Sequence, residues 1–192
     1  MIFDETNVLP DRALLGYDGD SIDVSAFLKA HGSPIANRIL PSGFSFGSKL
    51  KERCREFGIS VRWGIVRLQC ESGLVSGQFP TRNGYTREQE IAQRESKAYG
   101  VGCLDDGRVI EKWLGLEMQI HGFAYFCAKI SQKVAPMVGK PYALDAANKE
   151  DRKVIVCKNV ATLMLYEYTP HVDAARETWD VFRRYFPESL TA

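Results

Sequence analysis

The chain has 192 residues, enough for one domain with a sizeable core. An apolar fraction of 45% and a charged fraction of 26% exclude a disordered chain. The net charge of +1, from 25 basic and 24 acidic residues, excludes a global field that would steer the protein onto nucleic acid.

Residues 1 to about 24 read as an irregular arm punctuated by Pro10, Gly16 and Gly19. This acidic stretch has no long apolar core, so it reads as neither a secretory signal nor an anchor. No apolar run further on is long enough to span a bilayer. Synthesis in a cytoplasm is expected, with delivery to the place of action by another agent or by a leader outside this sequence. A short helix follows at 23–31, capped by Asp23 or Ser25 and stopped by Gly32. SPIANRILPSGFSFG then reads as a loop. The expected division is an arm and short helix, 1–44, packed on a domain of 45–192.

Helical patterning dominates from there. Leu50, Cys54 and Phe57 mark a helix over 46–58, and Ser60 can cap a second one, ISVRWGIVRLQCES. That helix is apolar on several sides and is expected to be central and buried. Residues 74–85 read as a loop, and TREQEIAQRESKA, 86–98, as a polar, solvated helix. YGVGCLDDGR must be a turn or a short extended piece, since its glycines preclude a stable helix. A long helix is expected over 111 to about 134, with Leu116, Ile120, Phe123, Cys127, Ile130 and Val134 inward. Another is expected over 151–168, ended by Thr169-Pro170, and a last one in DAARETWDVFRRYF. The predicted fold is mainly α with few or no strands.

The cysteines, Cys54, Cys70, Cys103, Cys127 and Cys157, show no Cys-x-x-Cys spacing, and His31, His121 and His171 lie far apart. No metal site is expected. There is no nucleophile elbow and no phosphate loop. Cys70 beside Glu71 reads as an inert, buried thiol rather than a nucleophile. The first candidate for chemistry is therefore Glu71 in LQCESG. A carboxylate leaving so apolar a helix is expected in desolvating surroundings, which favour its protonated form. A protonated Glu near neutral pH is what a glycosidase uses as general acid. Spacing alone equally allows a solvated Glu beside a helix end.

Three stretches in order resemble one family. Glu71-Ser72 ending the helix VRWGIVRLQCES is similar to the catalytic motif of lytic transglycosylases and goose-type lysozymes. About thirty residues on, YGVGCLDD at 99–106 stands where that family has Gly-Leu-Met-Gln, followed in goose-type enzymes by Val-Asp. Tyr166-Glu167-Tyr168-Thr169-Pro170 stands where it has Tyr-Asn-Ala-Gly-Pro. The resemblance covers roughly 45–186 and implies a lysozyme-like helical domain that cleaves the MurNAc-GlcNAc β-1,4 bond of peptidoglycan. It implies Glu71 as acid and base, and Asp105 as the carboxylate that directs water if the route is hydrolytic. No cofactor or metal is implied. The partner is the glycan strand, met at the cell wall or periplasm, with no nucleic acid and no membrane span, and protein partners are left open.

The resemblance also brings Ser72, Tyr99, Gly100, Cys103, Tyr166, Tyr168 and His171 to the substrate cleft. The Tyr166 hydroxyl is implied to bond Glu71 or the substrate, and Tyr99, Tyr166 and Tyr168 to bound or stack on sugars. Packing is the competing role for each tyrosine, a structural role for His171, and a simple turn for Asp105-Asp106-Gly107. Glu88, Glu90 and Glu95 read as a solvated face, with one of them a substitute second acid. The family's Gln is Cys103 here. That departure keeps a non-catalytic glycan-binding or structural component of a phage particle or secretion machine as the alternative.

Overall fold

The computed structural model describes residues 2–104, 106–144 and 153–191. Its core is organised around helix α4, Val61–Ser72. Residues Val61 and Trp63 through Leu68 are all buried, so this helix meets protein on nearly every side. Its start is held twice. Ser60 Oγ accepts the N–H of Trp63 at 3.2 Å. Asp18, arriving from the N-terminal segment, accepts from Ser60 Oγ at 2.9 Å, from the Val61 N–H at 2.6 Å and from Arg62 at 3.0 Å. A carboxylate there satisfies free amides and complements the helix dipole.

Around α4 pack α1 (Asp11–Leu14), α3 (Phe46–Phe57) and α8 (Val172–Tyr185). The Trp63 ring stacks on Phe182 of α8, with centroids 6.0 Å apart. The long helix α6, Leu116–Val134, lies against α3 and against α7, Val160–Tyr168. Helix α2 (Val24–Ala30) starts on an Asp23 cap, and α5 (Arg87–Ser96) on a capping box between Thr86 and Gln89. The first residues share this core: Val8, Leu9, Ala13 and Leu14 are buried with it. Asp11 accepts the N–H of Ala161 at 2.8 Å at the start of α7. The protein is mainly α. Among the described residues no helix is long and apolar enough to cross a membrane.

Two boundaries differ from expectation. The long helix begins at Leu116, after a 3-10 turn at Glu111–Trp113 and a break at Gly115. The helix expected over 151–168 is real only from Val160. Val154–Val156 is instead strand β2, paired antiparallel with β1, Pro141–Ala143, so that Tyr142 faces Ile155. Three consecutive β-branched residues favour the extended chain, and Ile155 alone of the three is buried. Asn159 then caps α7 by accepting the Thr162 N–H at 2.9 Å. Residues 151 and 152 of that expected helix lie outside the described residues.

The Asp18 cap can be tested directly. Asp18→Ala removes the acceptor for a backbone amide, a hydroxyl and a guanidinium at once, and should lower stability by about 2 kcal/mol. Urea denaturation followed by circular dichroism reads this as a lower midpoint at an unchanged slope.

Candidate active site

Helix α4 delivers Glu71 to the surface on its last turn, one residue before Ser72. Four residues earlier on the same face is Arg67, and its guanidinium donates to Glu71 Oε1. The two differ in exposure: the Arg67 side chain is 5% exposed and that of Glu71 28%. Arg67 lies between two rings, 4.1 Å from the Tyr168 centroid and 5.4 Å from that of Trp63. Burial works against its charge, but the Glu71 carboxylate and then Tyr168 outweigh it, and its pKa stands above the ordinary Arg value. In place of purely desolvating surroundings, Glu71 thus faces a buried cation.

The turn 99–101 closes one side. A Cβ on Gly100 would stand 2.9 Å from Glu71 Oε2, and the residue sits at φ +70°. The left-handed backbone favours Gly there, and a side chain would also push the Glu71 carboxylate aside. This turn is held by Gln119, a buried residue of α6. Its Oε1 accepts the N–H groups of Tyr99 and Val101 at 3.0 and 3.2 Å. Its Nε2 donates to the carbonyls of Val101 and Trp113 at 2.8 and 2.7 Å. The Tyr168 hydroxyl donates to the Tyr99 carbonyl at 3.0 Å, and burial pushes that phenol up to about 12, so it stays a donor. On α6 itself, Gly122 lets Val101 and Trp113 lie close; a Cβ there would fall 2.6 Å from Val101 Cγ1.

Helix α5 forms the opposite side. A groove of about 310 Å³ is lined by Glu71, Ser72, Arg82, Glu90, Arg94 and Lys97, at the small end of ligand-sized pockets. Glu90 is 1% exposed. Its Oε2 accepts from Arg82 Nε at 2.9 Å and its Oε1 from Arg94 Nε at 2.7 Å. These partners, Arg82 first, hold its pKa below the ordinary 4.5. Arg94 also donates to the Ser72 carbonyl at 2.8 Å, which ties the end of α4 to α5. The flap between α4 and α5 is pinned by Phe79, whose ring lies 4.0 Å from Arg87 and 4.1 Å from Arg94. A larger cavity, about 560 Å³, lies between Tyr17, Phe44 and Arg55. Its carboxylates Asp20, Glu52 and Glu56 are all ion-paired with neighbouring cations.

The residues singled out in the sequence fall into two groups. Glu71, Ser72, Gly100 and Tyr168 meet at this groove or directly behind it. Ser72 Oγ donates to the Leu68 carbonyl at 2.7 Å, so the groove meets its backbone and bound hydroxyl. Tyr99 is fully buried, its ring stacked on Phe123 at 4.6 Å, and it has no face to offer a sugar. Tyr166 is a correction: its hydroxyl donates to the Glu5 carbonyl at 3.0 Å and reaches neither Glu71 nor the groove. Two residues along a helix is a rotation of about 200°, so Tyr166 and Tyr168 face opposite ways.

Cys103 is exposed and bridges to Val109 in a hairpin-like turn. His171 is exposed at the start of α8, apart from the groove lining. Asp105 lies outside the described residues. Its neighbour Asp106 accepts from Arg108 Nε at 2.6 Å and from the Arg108 N–H at 3.0 Å, as a turn residue does. Glu90 is not part of a solvated face but buried between arginines. Burial pushes the Cys70 thiol up to about 11, which leaves little thiolate for nucleophilic work. Among the described residues no group of three or more His, Cys, Asp or Glu is arranged to hold a metal.

Sequence reasoning passed over Arg67, Gln119, Arg82, Arg94 and Lys97. For the first two a signal existed, a charged and an amide side chain inside otherwise apolar helical faces. For the other three there was none, since a polar helix and loop look alike whether or not they fold over a groove. Compared with protein-family models, curated proteins and solved structures, the chain finds no match.

Two outcomes are expected. Gly100→Ala should cost roughly 1–3 kcal/mol for its backbone conformation alone. The control Gly43→Ala, at φ +84° with nothing within 4 Å, carries only that cost. Urea denaturation of both should show losses of similar size, because the Glu71 side chain can swing aside from the new methyl group. For Glu90, the depressed pKa means its stabilisation is fully present above the ordinary carboxyl value of 4.5 and is lost as pH falls through the lower folded value. Glu90→Gln should therefore flatten the fall in thermal midpoint on the acid side of 4.5.

Proposed function

We propose that the protein is a glycosidase of peptidoglycan that acts on the MurNAc-GlcNAc β-1,4 bond with Glu71 as general acid and base. The observation that carries this reading is the position of Glu71. It is the partly exposed carboxylate at the end of a buried helix, in a groove, with the turn 99–101 held against it by Gln119. The order of Glu71-Ser72, YGVGCLDD and YEYTP along the chain supports it, since the last two supply Gly100 and Tyr168 to the surroundings of the first.

In the first step Glu71 gives its proton to the glycosidic oxygen as the bond breaks. Arg67 pairs with the carboxylate only, so protonation must loosen that contact. The Tyr168 and Trp63 rings remain as partners for the guanidinium while it is open. In the transglycosylase route the substrate's acetamido group assists, and Glu71 then takes the proton of the 6-hydroxyl to give a 1,6-anhydro end. In the lysozyme route a second carboxylate directs water instead. Glu90, the other acid of the groove among the described residues, is unsuited to that role, for which Asp105 remains the candidate. The two oxygens of Glu90 are occupied by Arg82 and Arg94, and a carboxylate so held is a poor base.

A second reading, a glycan-binding or structural component without turnover, is favoured by the Arg67–Glu71 pair itself. A buried guanidinium requires a counter-ion whether or not chemistry follows. Mass analysis of digested walls separates these readings. The wild type should release muropeptides, with anhydro ends by the transglycosylase route, which are lighter by one water than the reducing ends of the lysozyme route. Glu71→Gln, checked for a cooperative thermal transition, should lower release by at least about a hundredfold. Undiminished release by Glu71→Gln would sink the mechanism, and no release by folded wild type from several wall types would favour binding or structure.

A further inference from the structure

The groove at Glu71 holds more positive charge than its carboxylates engage. Arg82, Arg94 and Lys97 line it with Glu71 and Glu90, three cations to two anions, and Arg67 lies behind Glu71. Arg67 is committed to Glu71, and Arg94 is committed to Glu90 and the Ser72 carbonyl. Arg82 gives only its Nε and backbone N–H to Glu90, while its side chain is 49% exposed. Lys97 lines the same groove and has no ion-pair partner among the described residues.

Position alone does not decide what Lys97 is for, because a cation just past α5 also complements the helix dipole. The decisive feature is Glu90. One buried carboxylate fixes two guanidiniums in place beside the groove, so the donors Arg82 has left over are ordered before any ligand arrives. A buried anion that orders cations around an open space builds a receptor for a second anion.

We propose that this end of the groove is a subsite for a carboxylate carried by the muramyl unit of the substrate. Lys97 and Arg82 are its direct ligands, and Glu90 and Arg94 are positioning residues. The inference rests on reading the groove as a glycan cleft. It adds that the preferred glycan is the anionic one, whether the charge is the lactyl carboxylate of a peptide-free muramyl residue or an acid of its attached peptide. An oriented guanidinium and an ammonium give a carboxylate short, charge-assisted hydrogen bonds that a neutral ester cannot accept equally well.

The test reads binding, not turnover. Two probes are used, the GlcNAc-MurNAc disaccharide with its free lactyl acid and the same disaccharide bearing its peptide. Each is compared with its methyl ester by titration calorimetry on the wild-type protein, and neither contains the MurNAc-GlcNAc bond to be cleaved. At low salt an acid should bind about three- to tenfold tighter than its ester, and salt should shrink the difference. A preference in the first probe assigns the lactyl group, and a preference confined to the second assigns the peptide. Lys97→Gln should shrink the preference, leaving only what Arg82 supplies, and Lys97→Arg retain it. No preference for acid over ester in either probe, or an undiminished preference in Lys97→Gln, overturns the inference. Carboxylate preference without wall cleavage would refute the glycosidase and leave the subsite. Wall cleavage without carboxylate preference would do the reverse.

Discussion

A guanidinium buried in the middle of the most central helix is the constraint around which this protein is arranged. Arg67 has water on almost none of its surface, so its charge must be met by protein. Three groups meet it: the Glu71 carboxylate one turn on, and the faces of Trp63 and Tyr168. Each has a consequence elsewhere. Trp63 fixes α8 through Phe182, Tyr168 ties α7 to the turn 99–101 through its hydroxyl, and Glu71 is drawn to one side of the groove. The two partners are not equivalent. Removing Glu71 would strand a charge inside the protein, whereas removing Arg67 would leave a carboxylate that water already reaches.

The groove holds two carboxylates in opposite conditions. Glu90 is enclosed and gripped on both oxygens, which fixes its charge and its position together. Glu71 has one cation, on one side, and an open face. The acid and base proposed for the reaction would need that freedom, and a group that holds two arginines in place must not have it. The same helix end therefore carries the reactive candidate, while the polar helix across the groove supplies a fixed frame.

Much of this was legible in the sequence where one force dominates. The spacing of Leu50, Cys54 and Phe57, the all-round apolar character of VRWGIVRLQCES and the Ser60 cap lead directly to α3 and α4. The apolar stripe after Gly115 gives α6. Legibility failed where two forces compete. Val154–Val156 fits a helical stripe as well as a strand, and the preference of β-branched residues for extended backbone won. Glu90 sits in a run of charges that reads as solvated, yet its burial depends on Arg82, which reaches it from a loop without periodicity. Of the site, Glu71 and Gly100 were readable. Tyr166 and Tyr168 were both singled out, and that Tyr168 alone turns toward Arg67 was not readable, because a motif read as a string carries no helical phase.

The contact between Asp18 and the start of α4 has a kinetic side. The segment that supplies it is fastened elsewhere by partners in α7. The Val8 N–H donates to Thr162, Asp11 accepts from Ala161, and the Glu5 carbonyl accepts from Tyr166, each pair separated by 150 residues or more. Contacts of such range slow folding, because a very long loop must close before they form. On a ribosome, residues 5–11 must wait for residues 161–166. The central helix that presents Glu71 is then fully locked only after residues 161–166 have been made, so a chain cut short of them would lack the fastened segment that caps this helix.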